Sequence, residues 1–235
     1  MKSLAQQSTA ELGGPVSVLT RQKRDHVKLD RLLRELRATA PEGQDPVLRR
    51  IYRLVFPHAF AEEAVLWPVL RRTLSDGPAL TLQIEREHQE VNELVTALEQ
   101  LPVSAPERAA TLHRLVEVLS EDVRDEEDQL LPRLQEVADV KQLRRLGVAW
   151  EVVRRTAPTR AHPVVARRPP GNVVAAVPLS VVDRVRDGID YALQHGPTKG
   201  HPRLAASSAK LTALAHRIEH LPLMARGEDP STHRV

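Results

Sequence analysis

Apolar residues recur at helical intervals through most of this 235-residue chain. Leu29, Leu32, Leu33 and Leu36 share one face of a first predicted helix, about Ser17 to Leu36. The segment APEGQDP breaks it, and a second helix is expected from about Val47 to Leu74. Pro57 and Pro68 fall inside that stretch, where each must kink or interrupt the helix. After SDGP a third helix runs from about Leu80 to Leu101, and after Pro102 to Pro106 a fourth runs from about Glu107 to Ala138. A fifth follows from about Lys141 to Arg155.

The two ends differ from this regular middle. Residues 1–15, closing on Gly13, Gly14 and Pro15, read as a mobile tail before a helical unit over 16–156. Residues 157–178 hold Pro158, Pro163, Pro169, Pro170, Gly171 and Pro178, the composition of a linker. A helical extension is expected over 179–235, with Ser180 capping a helix to about Gln194 and another from about Leu204 to His220. It has few apolar residues, so it is expected to dock on the bundle or on a protein partner.

An internal repeat organises the middle. DHVKLDRLLREL, from Asp25, aligns with EHQEVNELVTAL, from Glu87, which puts His26 on His88 and four apolar positions on apolar positions. HAFAEEAVLWPVL, from His58, aligns with DVRDEEDQLLPRL, from Asp122. Glu62-Glu63 then falls on Glu126-Glu127, and Pro68 on Pro132. Two tandem copies of one helix pair predict an all-α, up-down four-helix bundle with a C-terminal helical extension.

The polar positions of the repeat are where chemistry is expected. Residues four apart stack on one helix face, so His58 points with Glu62 and Asp122 with Glu126. These pairs, and His26, lie in rows that otherwise carry Val, Leu and Ile, so they face the core. Burying that many titratable groups is costly unless a cation compensates them. The chain has no cysteine, which excludes disulfides, thiolate metal sites and thiol nucleophiles. Imidazole and carboxylate donors suit iron, manganese or zinc. Aromatics make up only 3 % of the sequence, which favours a helical core of Leu, Val, Ala and Ile over a sheet sandwich.

With these residues in place the sequence resembles the hemerythrin-like, HHE cation-binding family over about residues 17 to 136. Its pattern is a His on helix one, His-x-x-x-Glu on helix two, a His on helix three and His-x-x-x-Glu on helix four. The matching positions are His26, His58 with Glu62, His88, and Asp122 with Glu126. The resemblance implies two iron ions (Fe2+/Fe3+), oxo- or hydroxo-bridged, with the histidines as terminal ligands and Glu62 and Glu126 as bridges. It implies a small oxidant or gas as the partner: dioxygen, peroxide or nitric oxide. Asp122 departs from the pattern, standing where the family has histidine. It adds negative charge, which favours ferric iron and hence redox or detoxifying chemistry over reversible oxygen carriage. The alternative is a metal-dependent sensor or interaction module without turnover, with an incomplete metal site. Glu63 and Glu127 are either outer partners of the ligand histidines or solvated.

Other patterns are read as lesser features. His113 and Glu117 lie on the opposite side of their helix from Glu126 and are assigned to the surface, and Glu85, three before His88, to solvent. His216-Arg-Ile-Glu-His220 matches an inverted zincin motif but has no third ligand nearby. The Arg-rich run 154–168 reads as a solvated basic linker, so nucleic acid is an unlikely partner. No secretory h-region and no run of 18 apolar residues is found, so a cytoplasmic protein is expected.

Overall fold

The computed structural model describes residues 2–197 and 200–232; the extreme ends of the predicted tail and extension, residues 1 and 233–235, lie outside the described residues. Among these the chain is all helical. Four antiparallel rods build the bundle. The first is α1, Val18–Ala38. The second joins α2, Gln44–Ala61, to α3, Trp67–Thr73. The third is α4, Gly77–Gln100, and the fourth joins α5, Pro106–Asp125, to α6, Leu131–Val137.

The joints within rods two and four are wide π-helical turns, Glu62–Leu66 and Glu126–Leu130. In each, an amide donates five residues back, from Trp67 to Glu62 and from Leu131 to Glu126. The repeat explains why. Pro68 and Pro132 have no N–H, and their rings crowd the carbonyl four residues earlier, so the helix widens ahead of each. Pro68, predicted to kink its rod, therefore does so one turn upstream, at the carboxylates themselves, as Pro132 does in rod four; Pro57, predicted likewise, sits inside α2 without ending it.

Two apolar clusters fill the bundle. Leu29, Leu33, Ile51, Val55, Val91 and Leu119 lie in one. Leu19, Leu66, Trp67, Ile84, Leu131 and Trp150 lie in the other. His26, His58 and His88 sit along the chain between these clusters and are buried. The polar layer is thus sealed from both sides. Helix α7, Val140–Thr156, begins with a capping box between Asp139 and Gln142 and packs across α1 and α2. A Cβ at Gly147 would meet the Val16 carbonyl at 2.0 Å, so only glycine allows this approach.

Both chain ends differ from expectation. The first 15 residues are no loose tail: Leu4 and Leu12 are buried with Trp67 and Trp150, because that end of the bundle would otherwise expose apolar surface. The segment 157–170 is no solvated linker either, since Ala157, Val165, Ala166 and Arg167 are buried. Helix α8 spans Gly171–His195 and begins well before Ser180, which instead hydrogen-bonds the Ala157 carbonyl. Pro178 sits inside α8 without ending it. Helix α9, His201–Glu219, packs on α8 through Leu179, Val182 and Ala215, a small third cluster.

Candidate metal centre

Each rod delivers its polar residue to one buried layer. His26 Nε2 lies 3.3 Å from His58 Nε2 and 3.1 Å from Glu126 Oε2. His58 Nε2 lies 3.1 Å from Glu62 Oε1, and the other oxygen of Glu62 is 3.7 Å from His88 Nε2. His88 Nε2 is 3.5 Å from Asp122 Oδ1. Ligand atoms of His26, His58, Glu62 and Glu126 fall within 4.8 Å of one another, as do those of His88, Asp122 and Glu126. The six residues singled out in the sequence are therefore together, in two groups that share Glu126.

Every histidine is backed from outside. His26 Nδ1 is 2.9 Å from Glu127 Oε1, and His88 Nδ1 is 2.9 Å from Glu63 Oε1. His58 Nδ1 is 3.5 Å from Asp25 Oδ2. A carboxylate at Nδ1 keeps the proton on that nitrogen and turns the Nε2 lone pair inward. Glu63 and Glu127 thus hold histidines rather than facing solvent. The wide turns matter here: Glu62 and Glu63 are consecutive, yet both are buried and both aimed into the layer.

Asp25 was missed in the sequence. The signal was present, since the repeat aligns Asp25 with Glu87. In the second copy the residue to be backed is Asp122, which has no N–H to offer. Burial first, and the neighbouring Asp125 among other charges, push Glu87 up to about 7. Asp122 is raised well above the usual carboxylate range by burial, with Glu126, Glu62 and Glu87 adding to it.

The remaining electrostatics follow from six ionisable groups out of water. Burial opposes charge on His26, but Glu126 and Glu127 outweigh it and hold the ring up at about 9. Burial likewise opposes charge on His88, and Asp122 and Glu63 hold it up at about 10. Burial and the facing Glu126 push Glu62 up. Glu126 stays below its usual value because His26, His58 and His88 overcome its burial.

Helix α7 and the segment after it close the layer. Trp150 sets its ring edge against His58, centroids 5.4 Å apart, and the Arg154 guanidinium lies over Trp150 and 3.7 Å from Asp25. Asn92, one turn after His88, accepts the His162 amide at 2.9 Å. Arg167 reaches within 3.9 Å of Glu63. Glu85, expected in solvent, is fully buried, gripped by Arg71 and by Arg168, whose Nη2 is 2.7 Å away. The basic run is therefore paired rather than solvated: Arg154 and Arg155 with Glu151, Arg160 with Asp187 and Asp190, Arg168 with Glu85. His113 and Glu117 are exposed on the far side. His216, Glu219 and His220 group apart from the layer, with Glu219 paired to His162 at 3.1 Å.

A cation fits this donor set. Both oxygens of Glu62, both of Glu126 and Oδ1 of Asp122 are buried with no hydrogen-bond partner. Unpaired buried carboxylate oxygens are costly, and a divalent or trivalent ion satisfies them while accepting the inward Nε2 lone pairs. Beside the layer is a cavity of about 30 Å³, lined by Leu29, Leu54, Val55, Phe56, Val91 and Leu119 together with the histidines. Tyr52 lies not here but in the cleft under α8 and α9.

Comparisons with known proteins agree in kind. The family model described as the hemerythrin HHE cation binding domain matches residues 17–134. An uncharacterized hemerythrin-like protein of Schizosaccharomyces pombe is 24 % identical over 170 residues, which is 70 % of this chain and 82 % of that protein. A DNA nickase of Nostoc is 31 % identical over 107 residues, 45 % of this chain but only 30 % of the nickase. No solved structure matches.

Proposed function

The chain belongs to the hemerythrin HHE cation-binding domain family, and from that premise we propose that its core holds two iron ions at which dioxygen, peroxide or nitric oxide binds or reacts. The observation that carries this reading is the set of buried carboxylate oxygens on Glu62 and Glu126 that accept no hydrogen bond, within two groups of donors that share Glu126. His26 and His58 would hold one ion and His88 and Asp122 the other, with Glu62 and Glu126 completing the donor set.

When bound, the iron pair supplies Lewis acidity and electron exchange with a small ligand. The chain supplies the rest. Glu127, Asp25 and Glu63 fix the imidazole tautomers. Leu29, Leu54, Val55 and Phe56 keep bulk water off the histidines and leave about 30 Å³, room for a ligand of two heavy atoms. That size supports a diatomic gas or peroxide over a larger substrate. Three carboxylates among six donors support the ferric state and redox chemistry over reversible carriage.

Iron analysis of the purified protein, with near-ultraviolet charge-transfer absorption, tests the metal. Two irons per chain are expected; a colourless, iron-free protein from iron-rich medium overturns the reading. Rapid peroxide or nitric oxide loss, abolished in His58→Ala, is expected of an enzyme. Full iron occupancy without turnover leaves a binding or sensing protein.

A further inference from the structure

The outward side of α8 is unlike any other helical surface here. Val173, Val174, Val177, Val181 and Val185 are all exposed, as is Tyr191 further along. At 100° per residue these positions fall within about 120° of one another on the helix. The one charge in their midst, Arg184, is turned back to the end of α7, its Nη2 on the Arg155 and Ala157 carbonyls at 2.5 and 3.2 Å. Gly188 lies in the same arc, and a Cβ there would meet nothing within 4 Å. Nothing within the chain therefore requires glycine at that place, although glycine costs a helix about 1 kcal/mol relative to alanine. Solvated helix faces carry charge; an apolar arc of this length marks an interface.

We propose that this face is where a second copy of the chain docks, α8 against α8 in antiparallel fashion about a two-fold axis at Val181. The spacing is what assigns the occupant. Val174, Val177, Val181, Val185 and Gly188 stand at −7, −4, 0, +4 and +7 about Val181, a palindrome. A two-fold interface must match each position with its mirror. Antiparallel α8 helices centred on Val181 put Val181 on Val181, Val177 on Val185, and Val174 into the space left at Gly188. The bulky residue thus meets the missing side chain, which accounts for the otherwise unneeded glycine. The exposed valines and Tyr191 offer on the order of 500 Å² per copy, so a pair buries about 1,000 Å², the lower limit of a specific interface. The inference does not depend on the metal reading.

Sedimentation of the full chain tests it. At tens of micromolar the protein is expected to run at twice its 26.3 kDa chain mass, and Val181→Asp to run as a monomer with unchanged helicity and iron content. A Cβ at position 188 meets nothing within 4 Å in one chain, so Gly188→Val is expected to dissociate the pair while keeping the helicity of the monomer. Since the chain has no cysteine, Val181→Cys alone is expected to oxidise to a covalent dimer at least tenfold faster than Ala110→Cys, an exposed site on α5. A monomer at 100 micromolar, a dimer indifferent to Val181→Asp, or equal crosslinking at both cysteines overturns the proposal. So does a monomer that pellets with anionic phosphatidylserine–phosphatidylcholine vesicles through this face, which would make the occupant a lipid surface.

Discussion

The inward nitrogens of His26 and His58 stand 3.3 Å apart, while Glu127 and Asp25 hold their outward nitrogens. Without metal, the surrounding carboxylates favour charge on both rings against their burial, so two like-charged imidazoliums meet beside Glu62 and Glu126. That repulsion ends when an ion displaces the inward protons. Demetallation is therefore expected to lower the melting temperature while leaving the helical circular dichroism at 20 °C largely intact. Readdition of metal at 100 times its Kd should restore about 2.7 kcal/mol. Equal melting temperatures with and without metal would refute it.

Glu62→Gln should have opposite effects in the two states. Without metal it removes a buried carboxyl pushed up by its own burial and by Glu126, whose ionisation favours the unfolded chain near neutral pH, so stability should rise. With metal it removes a donor, and affinity should fall. Denaturant unfolding of both forms measures both signs.

Asp122 sits 3.5 Å from His88 Nε2. Asp122→His is expected to keep two irons and to hold them more tightly, with Glu87 standing in the repeat where Asp25 stands beside His58. Asp122→Ala should lose one. Iron stoichiometry after a chelator challenge decides it; two firmly held irons in Asp122→Ala would remove the residue from the ligand set.

Glu63→Gln and Glu127→Gln leave every inner donor in place but weaken the hold on His88 and His26. Metal affinity should drop by roughly 10- to 100-fold in each. Arg167→Met, which approaches the layer only at Glu63, 3.9 Å away, and otherwise donates to the His162 and Val165 carbonyls, should produce a smaller loss. Competition with a chromogenic chelator gives the ranking, and an Arg167 effect exceeding that of Glu63 would contradict it.

The docked C-terminal segment should respond to pH through His162. Burial opposes its charge, but Asp183 and Glu219 overcome that and hold it up at about 9, against 6.5 when free. A raised histidine contributes its full stabilisation below pH 6.5 and loses it as pH rises through 9. Asp183, lowered against its burial by His162, contributes above 3.8 and loses out on acidification. Hydrogen exchange of α8 and α9 should therefore quicken on both sides of this window, and His162→Leu should abolish the alkaline limb.

The sequence alone determined the bundle and the six residues that meet in its buried polar layer, because both are local and repeated. Helical periodicity fixes which face is buried. A repeat that carries polar residues into buried rows names His26, His58, Glu62, His88, Asp122 and Glu126 before any coordinates. Family membership over residues 17–134 agrees with that pattern.

Tertiary structure decided what depends on partners distant in sequence. Asp25 differs from any surface aspartate only because α2 brings His58 to it. Glu63 faces inward only because Pro68 widens the turn before it, and Glu85 is buried only because Arg71 and Arg168 come to meet it. The proline-rich run from 157 looked like linker because its composition suits solvent. It packs instead, since Arg167 and Arg168 meet Glu63 and Glu85 of the bundle and Arg160 meets Asp187 and Asp190 of α8. Helix periodicity is written in neighbouring residues; charge compensation is settled between segments, and only the folded chain shows which segments meet.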